Sequence, residues 1–92
     1  MTLTLSARAE RDLAEQIQWL AERSPQSARR AAAHILRVFD LLDENPLLGT
    51  ETARGWREKG VKFGRDGYVI CYVLRRQGVL VVRFKHARQN RN

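Results

Sequence analysis

Few side chains in this sequence could do chemistry. It holds two histidines and one cysteine, with no Gly-rich phosphate loop, no Cys/His cluster, and no Ser, His and Asp at a spacing that supports nucleophilic catalysis. Cys71 lies inside an apolar run and has no partner for an intramolecular disulfide, which fits a reducing compartment. His34 falls in a polar helical stripe without a second His or Cys at ligand spacing, so it reads as a solvated face residue and not as a metal ligand. What the chain offers instead is positive charge. Residues 1–51 carry six Lys/Arg against eight Asp/Glu, a net of −2, whereas residues 52–92 carry eleven against two, a net of +9. Arg75 and Arg76 suit a hairpin tip kept soluble. Arg83, Lys85, His86, Arg88 and Arg91 crowd together near the end of the chain and point to an anionic partner.

The elements that must carry these groups centre on VKFGRDGYVICYVLRRQGVLVVRFKHAR, Val61 to Arg88. Tyr68 to Leu74 is seven apolar residues in a row, rich in β-branched and aromatic types, and predicts a central strand buried on both faces. Val61 and Phe63 alternate with Lys62 ahead of it. Behind it, VLVVRF places Leu80, Val82 and Phe84 on one face and Val79, Val81 and Arg83 on the other. The links at Gly64–Gly67 and Arg75–Gly78 are short enough for hairpins, giving an antiparallel meander. Upstream, Thr2–Leu5 alternates like a short edge strand, and Ser6 can cap a helix from Ala7 to about Glu22 with Glu10 in its early part. Ala9, Leu13, Ile17 and Leu20 form its apolar stripe. Trp19 sits roughly 120° off that stripe, so it must meet either the next helix or a partner. Ser24-Pro25 ends this helix and starts another over Gln26–Glu44, with a core stripe of Ala28, Ala32, Ile35, Phe39 and Leu42. Asn45-Pro46 stops it, and residues 47–55 form a loop leading to Trp56.

The expected architecture is α+β: a two-layer β-α-α-β-β-β fold with a helical hairpin on one face of an antiparallel sheet, as one domain over residues 1–92. The central strand is apolar on both sides, which leaves an apolar area for a second chain. MTLTLSARAERDL lacks a basic stretch followed by an apolar one, and no apolar run approaches the roughly 20 residues that span a bilayer, so a cytoplasmic protein with no membrane contact is expected. The tail Gln89–Asn92 is polar and expected to fray. No cofactor, metal or nucleotide is called for.

The order of elements, with "ARAERDLAEQIQWLAERSP", "LLDENPLLG", "VKFGRDGYVICYVL" and "VLVVRFKHAR", resembles the ParE branch of the ParE/RelE toxin superfamily of bacterial type II toxin-antitoxin modules over nearly the whole chain. The resemblance implies a small cytoplasmic toxin held inactive in a hetero-oligomer by a cognate antitoxin, ParD-like or similar, whose C-terminal segment wraps the groove between helical hairpin and sheet. It also implies a target: DNA gyrase for ParE members, ribosome-bound mRNA for RelE members. RelE-like endoribonucleases commonly place an Arg directly after the aromatic residue that opens the central strand. Here Val69 follows Tyr68, and no Tyr occurs after Tyr72. His86 and Arg88 match the H-x-R that ends the last strand in many ParE-like members. A nuclease built on this chain would have to pair His86 with Arg83, Arg65 or Lys62, with Glu58 as the nearby acid. The expected mode of action is therefore binding without a catalytic centre; the alternatives are a ribosome-dependent mRNA endonuclease and an inactive relative that only binds its antitoxin. An acidic or amphipathic antitoxin is expected to lay apolar side chains near Trp19 and its carboxylates against Arg57, Lys62, Arg65, Arg83, Lys85 or Arg88.

Overall fold

A computed structural model describes residues 2–88, so the expected tail at 89–92, with Arg91, lies outside the described residues. The elements run β1 (Thr2–Leu5), α1 (Ala7–Arg23), α2 (Pro25–Glu44), β2 (Thr50–Glu51), β3 (Arg57–Val61), β4 (Tyr68–Arg75) and β5 (Gly78–His86). They form the α+β arrangement expected, two helices on one face of a sheet of order β1-β5-β4-β3-β2. β3, β4 and β5 pair antiparallel. The sheet as a whole is mixed and not purely antiparallel, because β1 runs parallel to β5, from Thr2 opposite Gly78 to Leu5 opposite Val81. The two-helix crossover between β1 and the rest is long enough to return the chain in the same direction.

Local chemistry fixes the helix ends. The Ser6 hydroxyl accepts from the Ala9 N–H at 3.0 Å and donates to the Val82 carbonyl at 3.2 Å, so one side chain caps α1 and ties it to β5. Ser24 closes α1 through its own N–H to Leu20 and opens α2 by accepting from the Ser27 N–H at 3.1 Å, with Pro25 in the first helical turn. Ala9 is buried, and Leu13, Ile17 and Leu20 pack against the core as their spacing predicts. On α2, Ala28, Ile35, Phe39 and Leu42 are buried, joined by Ala31 and Val38. Burial of each of the larger side chains, Ile35, Val38, Phe39 and Leu42, contributes about 2 kcal/mol.

Two strand features depart from simple alternation. β3 lies at Arg57–Val61 instead of Val61–Phe63; pairing with the apolar β4 outweighs the charged character of REKG, and a short β2 adds beyond it. In β5 a bulge interrupts the register. Cys71 faces Arg83 and Tyr72 faces Val81, which leaves Val82 without a partner. One extra residue swaps the faces downstream. Phe84 therefore joins Val79 and Val81 in the core, not Leu80 and Val82 as strict alternation requires. At the β4–β5 turn, Gly78 adopts φ 142° and a Cβ there would stand 2.2 Å from the Thr2 carbonyl oxygen, so the close approach of β1 needs glycine.

Candidate functional site

The bulge sorts the basic side chains. Tyr68, Ile70, Phe84 and His86 face the helices, while Glu58, Val69, Cys71, Arg83 and Lys85 start from the opposite face. His86 packs edge-on against the Tyr68 ring, 5.8 Å between centroids at 88°, and its Nδ1 accepts from the Arg88 N–H at 3.2 Å. Arg83 reaches round the open edge of β5, beyond the end of β1, to Asp12 on α1. Asp12 is 6% exposed and accepts from Arg83 Nε at 2.8 Å, the Phe84 N–H at 3.0 Å and Arg8 Nε at 3.1 Å. Burial pushes this carboxyl up, yet the hydrogen bonds from Arg83, Phe84 and Arg8 with the Arg83 charge outweigh it and hold Asp12 below its ordinary 3.8.

The remaining predicted cations divide by what they touch. Arg57 donates to the Gly49 carbonyl at 2.8 Å and pairs with Glu51 at 3.7 Å, which binds it to its own loop. Arg88 pairs with Asp66 at 3.3 Å. Lys62 and Arg65 stand exposed beside or in the β3–β4 turn. Lys85 lies on the far face, 5.8 Å from the Trp56 ring centroid. Trp19 is 54% exposed and borders the hollow between α1 and β5; the Arg23 guanidinium covers its ring at 3.7 Å.

Two hollows open on the helix side of this framework. One, of about 520 Å³, lies between α1 and the end of β5 and is lined by Glu15, Gln16, Trp19, Asp66, His86 and Arg88. The other, of about 560 Å³, lies between α2 and β3, where His34, Val38 and Leu41 face Lys59, Lys62 and Val61. Asp66 borders both, so they meet at the β3–β4 turn. The second hollow joins an apolar helix face, a run of β3 beyond the reach of β2, and two lysines. That is the chemistry of a groove for an acidic, partly apolar polypeptide segment.

Sequence reasoning missed Asp12 and Tyr72. Asp12 sits three residues after Ala9, on the arc of α1 that turns inward, and an acid there signals a buried partner. The Tyr72 hydroxyl donates to the Pro46 carbonyl and accepts from the Gly49 N–H, both at 2.7 Å, pinning the α2–β3 loop to the central strand. Cys71 is buried on the far face, and burial with the nearby Glu58 charge lifts its thiol to about 11 against the opposing pull of Lys85 and Arg83.

Residues 3–91 match the ParE toxin of type II toxin-antitoxin system, parDE. The chain belongs to the ParE toxin family. This ParE-family chain is 37% identical over 90 residues to Toxin RelE1 and 34% identical over 90 residues to Toxin RelE3, both of Caulobacter vibrioides; each alignment covers 98% of this chain and 97% or 98% of the relative. It is thus a type II toxin of the ParE/RelE superfamily, a class that works with an antitoxin. No helix of this ParE-family member among the described residues is long and apolar enough to cross a membrane.

Proposed function

We propose that this single-domain protein, residues 1–92, acts in the cytoplasm as a ParE-like toxin that inhibits DNA gyrase by binding, and that a ParD-like antitoxin neutralises it. The observation that supports this reading is that Arg83, a cation the nuclease would need beside His86, is committed to buried Asp12. His86 stands on the helix side against Tyr68, while Arg83 leaves from the opposite face and is bonded to Asp12. General acid-base catalysis on a phosphodiester needs its proton donor and its cations around one phosphate. A binding toxin needs only complementary surface, and the two hollows around the β3–β4 turn supply it. The antitoxin segment lies along α2 and β3, with carboxylates at Lys59 and Lys62 and apolar side chains on Val38 and Leu41. The names of the two relatives favour a second reading, a RelE-like ribosome-dependent mRNA endonuclease using His86 with Lys62, Arg65 or Arg83.

Growth arrest in an inducible strain, measured for the unaltered chain and for His86→Ala, separates the two. The binding reading predicts arrest by both proteins with intact mRNA. Arrest lost in His86→Ala, together with cleaved ribosome-bound mRNA from the unaltered chain, would replace it with the nuclease reading.

A further inference from the structure

The far face of the sheet, which the helices leave uncovered, carries a second feature away from the two helix-side hollows. Trp56 stands there partly exposed, its indole N–H donating to Glu58 Oε2 at 3.3 Å, a bond that fixes the ring's orientation and engages the nearest carboxylate. Arg54 and Lys85 lie over the ring at 5.7 and 5.8 Å from its centroid. The contrast with Trp19 is direct: there a guanidinium lies on the ring at 3.7 Å, whereas at Trp56 neither cation has closed on the face. Beside the ring opens a hollow of about 290 Å³ lined by Val73 and Leu74 and by Arg57, Tyr72 and Glu51, the last of these paired with Arg57 at 3.7 Å.

An aromatic plane held by a hydrogen bond, two cations near it and a recess alongside match the needs of one polymer. Bases stack on aromatic rings whatever their sequence, and the phosphates between them seek Lys and Arg. We propose that the Trp56 surface binds single-stranded DNA, with a base stacked on the indole, its neighbour in the recess, and the intervening phosphates on Arg54 and Lys85. The charge distribution agrees, since residues 52–92 carry eleven Lys/Arg against two Asp/Glu. A duplex keeps its bases paired and cannot use the ring. Two of the polar groups lining the recess are engaged with the protein, Arg57 with Glu51 and Gly49, and the Tyr72 hydroxyl with Pro46 and Gly49. This surface does not depend on which target the toxin poisons.

The test is fluorescence anisotropy of labelled oligo(dT) about twelve nucleotides long, within the span of one single-strand site, with the purified full chain. The expected result is salt-dependent binding that Trp56→Ala weakens about tenfold and Trp56→Phe largely keeps. Lys85→Glu weakens it further while melting at an unchanged temperature. In a Trp19→Phe background Trp56 is the remaining indole, and its emission is quenched as the oligonucleotide binds. If Trp56→Ala does not fold, Lys85→Glu and the quenching decide. No binding, equal affinity for duplex of the same length, binding indifferent to both substitutions, or competition by polyglutamate as strong as by DNA overturns the proposal. Oligo(rU) binding much tighter than oligo(dT) also overturns it, because the occupant is then RNA.

Discussion

Asp12 bears more of the structure than any other charged residue described. Its carboxylate closes three bonds, from Arg83, Arg8 and the Phe84 N–H, and its loss leaves an arginine and a buried backbone donor without their acceptor. Asp12→Ala is expected to cost about 3 kcal/mol in urea unfolding, the scale of breaking a buried charged hydrogen-bond network. The folded carboxyl titrates below its ordinary 3.8, so the unfolded chain takes up the proton first. The stability Asp12 confers is therefore present above pH 3.8 and lost as the pH falls below it toward the folded value; Asp12→Asn flattens that part of the acid limb. Cys71 titrates at about 11 and is buried, so native protein at pH 8 should alkylate with iodoacetamide far more slowly than urea-unfolded protein. Equal rates would show that the far face opens freely.

Among the elements, the loop between α2 and β3 depends on one phenol. Tyr72→Phe removes the acceptor of the Gly49 N–H and the donor to Pro46, and is expected to cost about 2 kcal/mol by thermal or urea unfolding, with little change if water reaches Gly49. Much at this scale was legible in the sequence. Ser6, Ser24-Pro25 and Asn45 mark helix ends because capping is a contact within a few residues, and the apolar run Tyr68–Leu74 marked the central strand, though with no helix on its far face Val69 and Val73 are only half-buried and Leu74 is exposed. Long-range pairings were less legible. The direction of β1, the place of β3 and the bulge at Val82 depend on which strand lies alongside, and a period of two cannot announce its own interruption. The bulge also decides the site. It turns His86 to the helix side and starts Arg83 from the other, from where Arg83 reaches round to join Asp12, far from it in sequence.

At the scale of the molecule, a nearly neutral helical layer sits on a strongly basic sheet, and the hollows between the layers meet at the β3–β4 turn. If the antitoxin segment lies along α2 and β3, the double charge reversal Lys59→Glu with Lys62→Glu should weaken toxin-antitoxin binding about tenfold at low salt, mostly through the association rate, and less as salt screens the charges. Unchanged affinity, read by surface plasmon resonance, would move the segment elsewhere. As proposed, the protein works by occupying gyrase and not by cutting RNA. The decisive experiment titrates the purified chain into gyrase supercoiling of relaxed plasmid: inhibition is expected to follow the ratio of toxin to gyrase and to be reversed by antitoxin, and supercoiling unchanged at large toxin excess rules gyrase out.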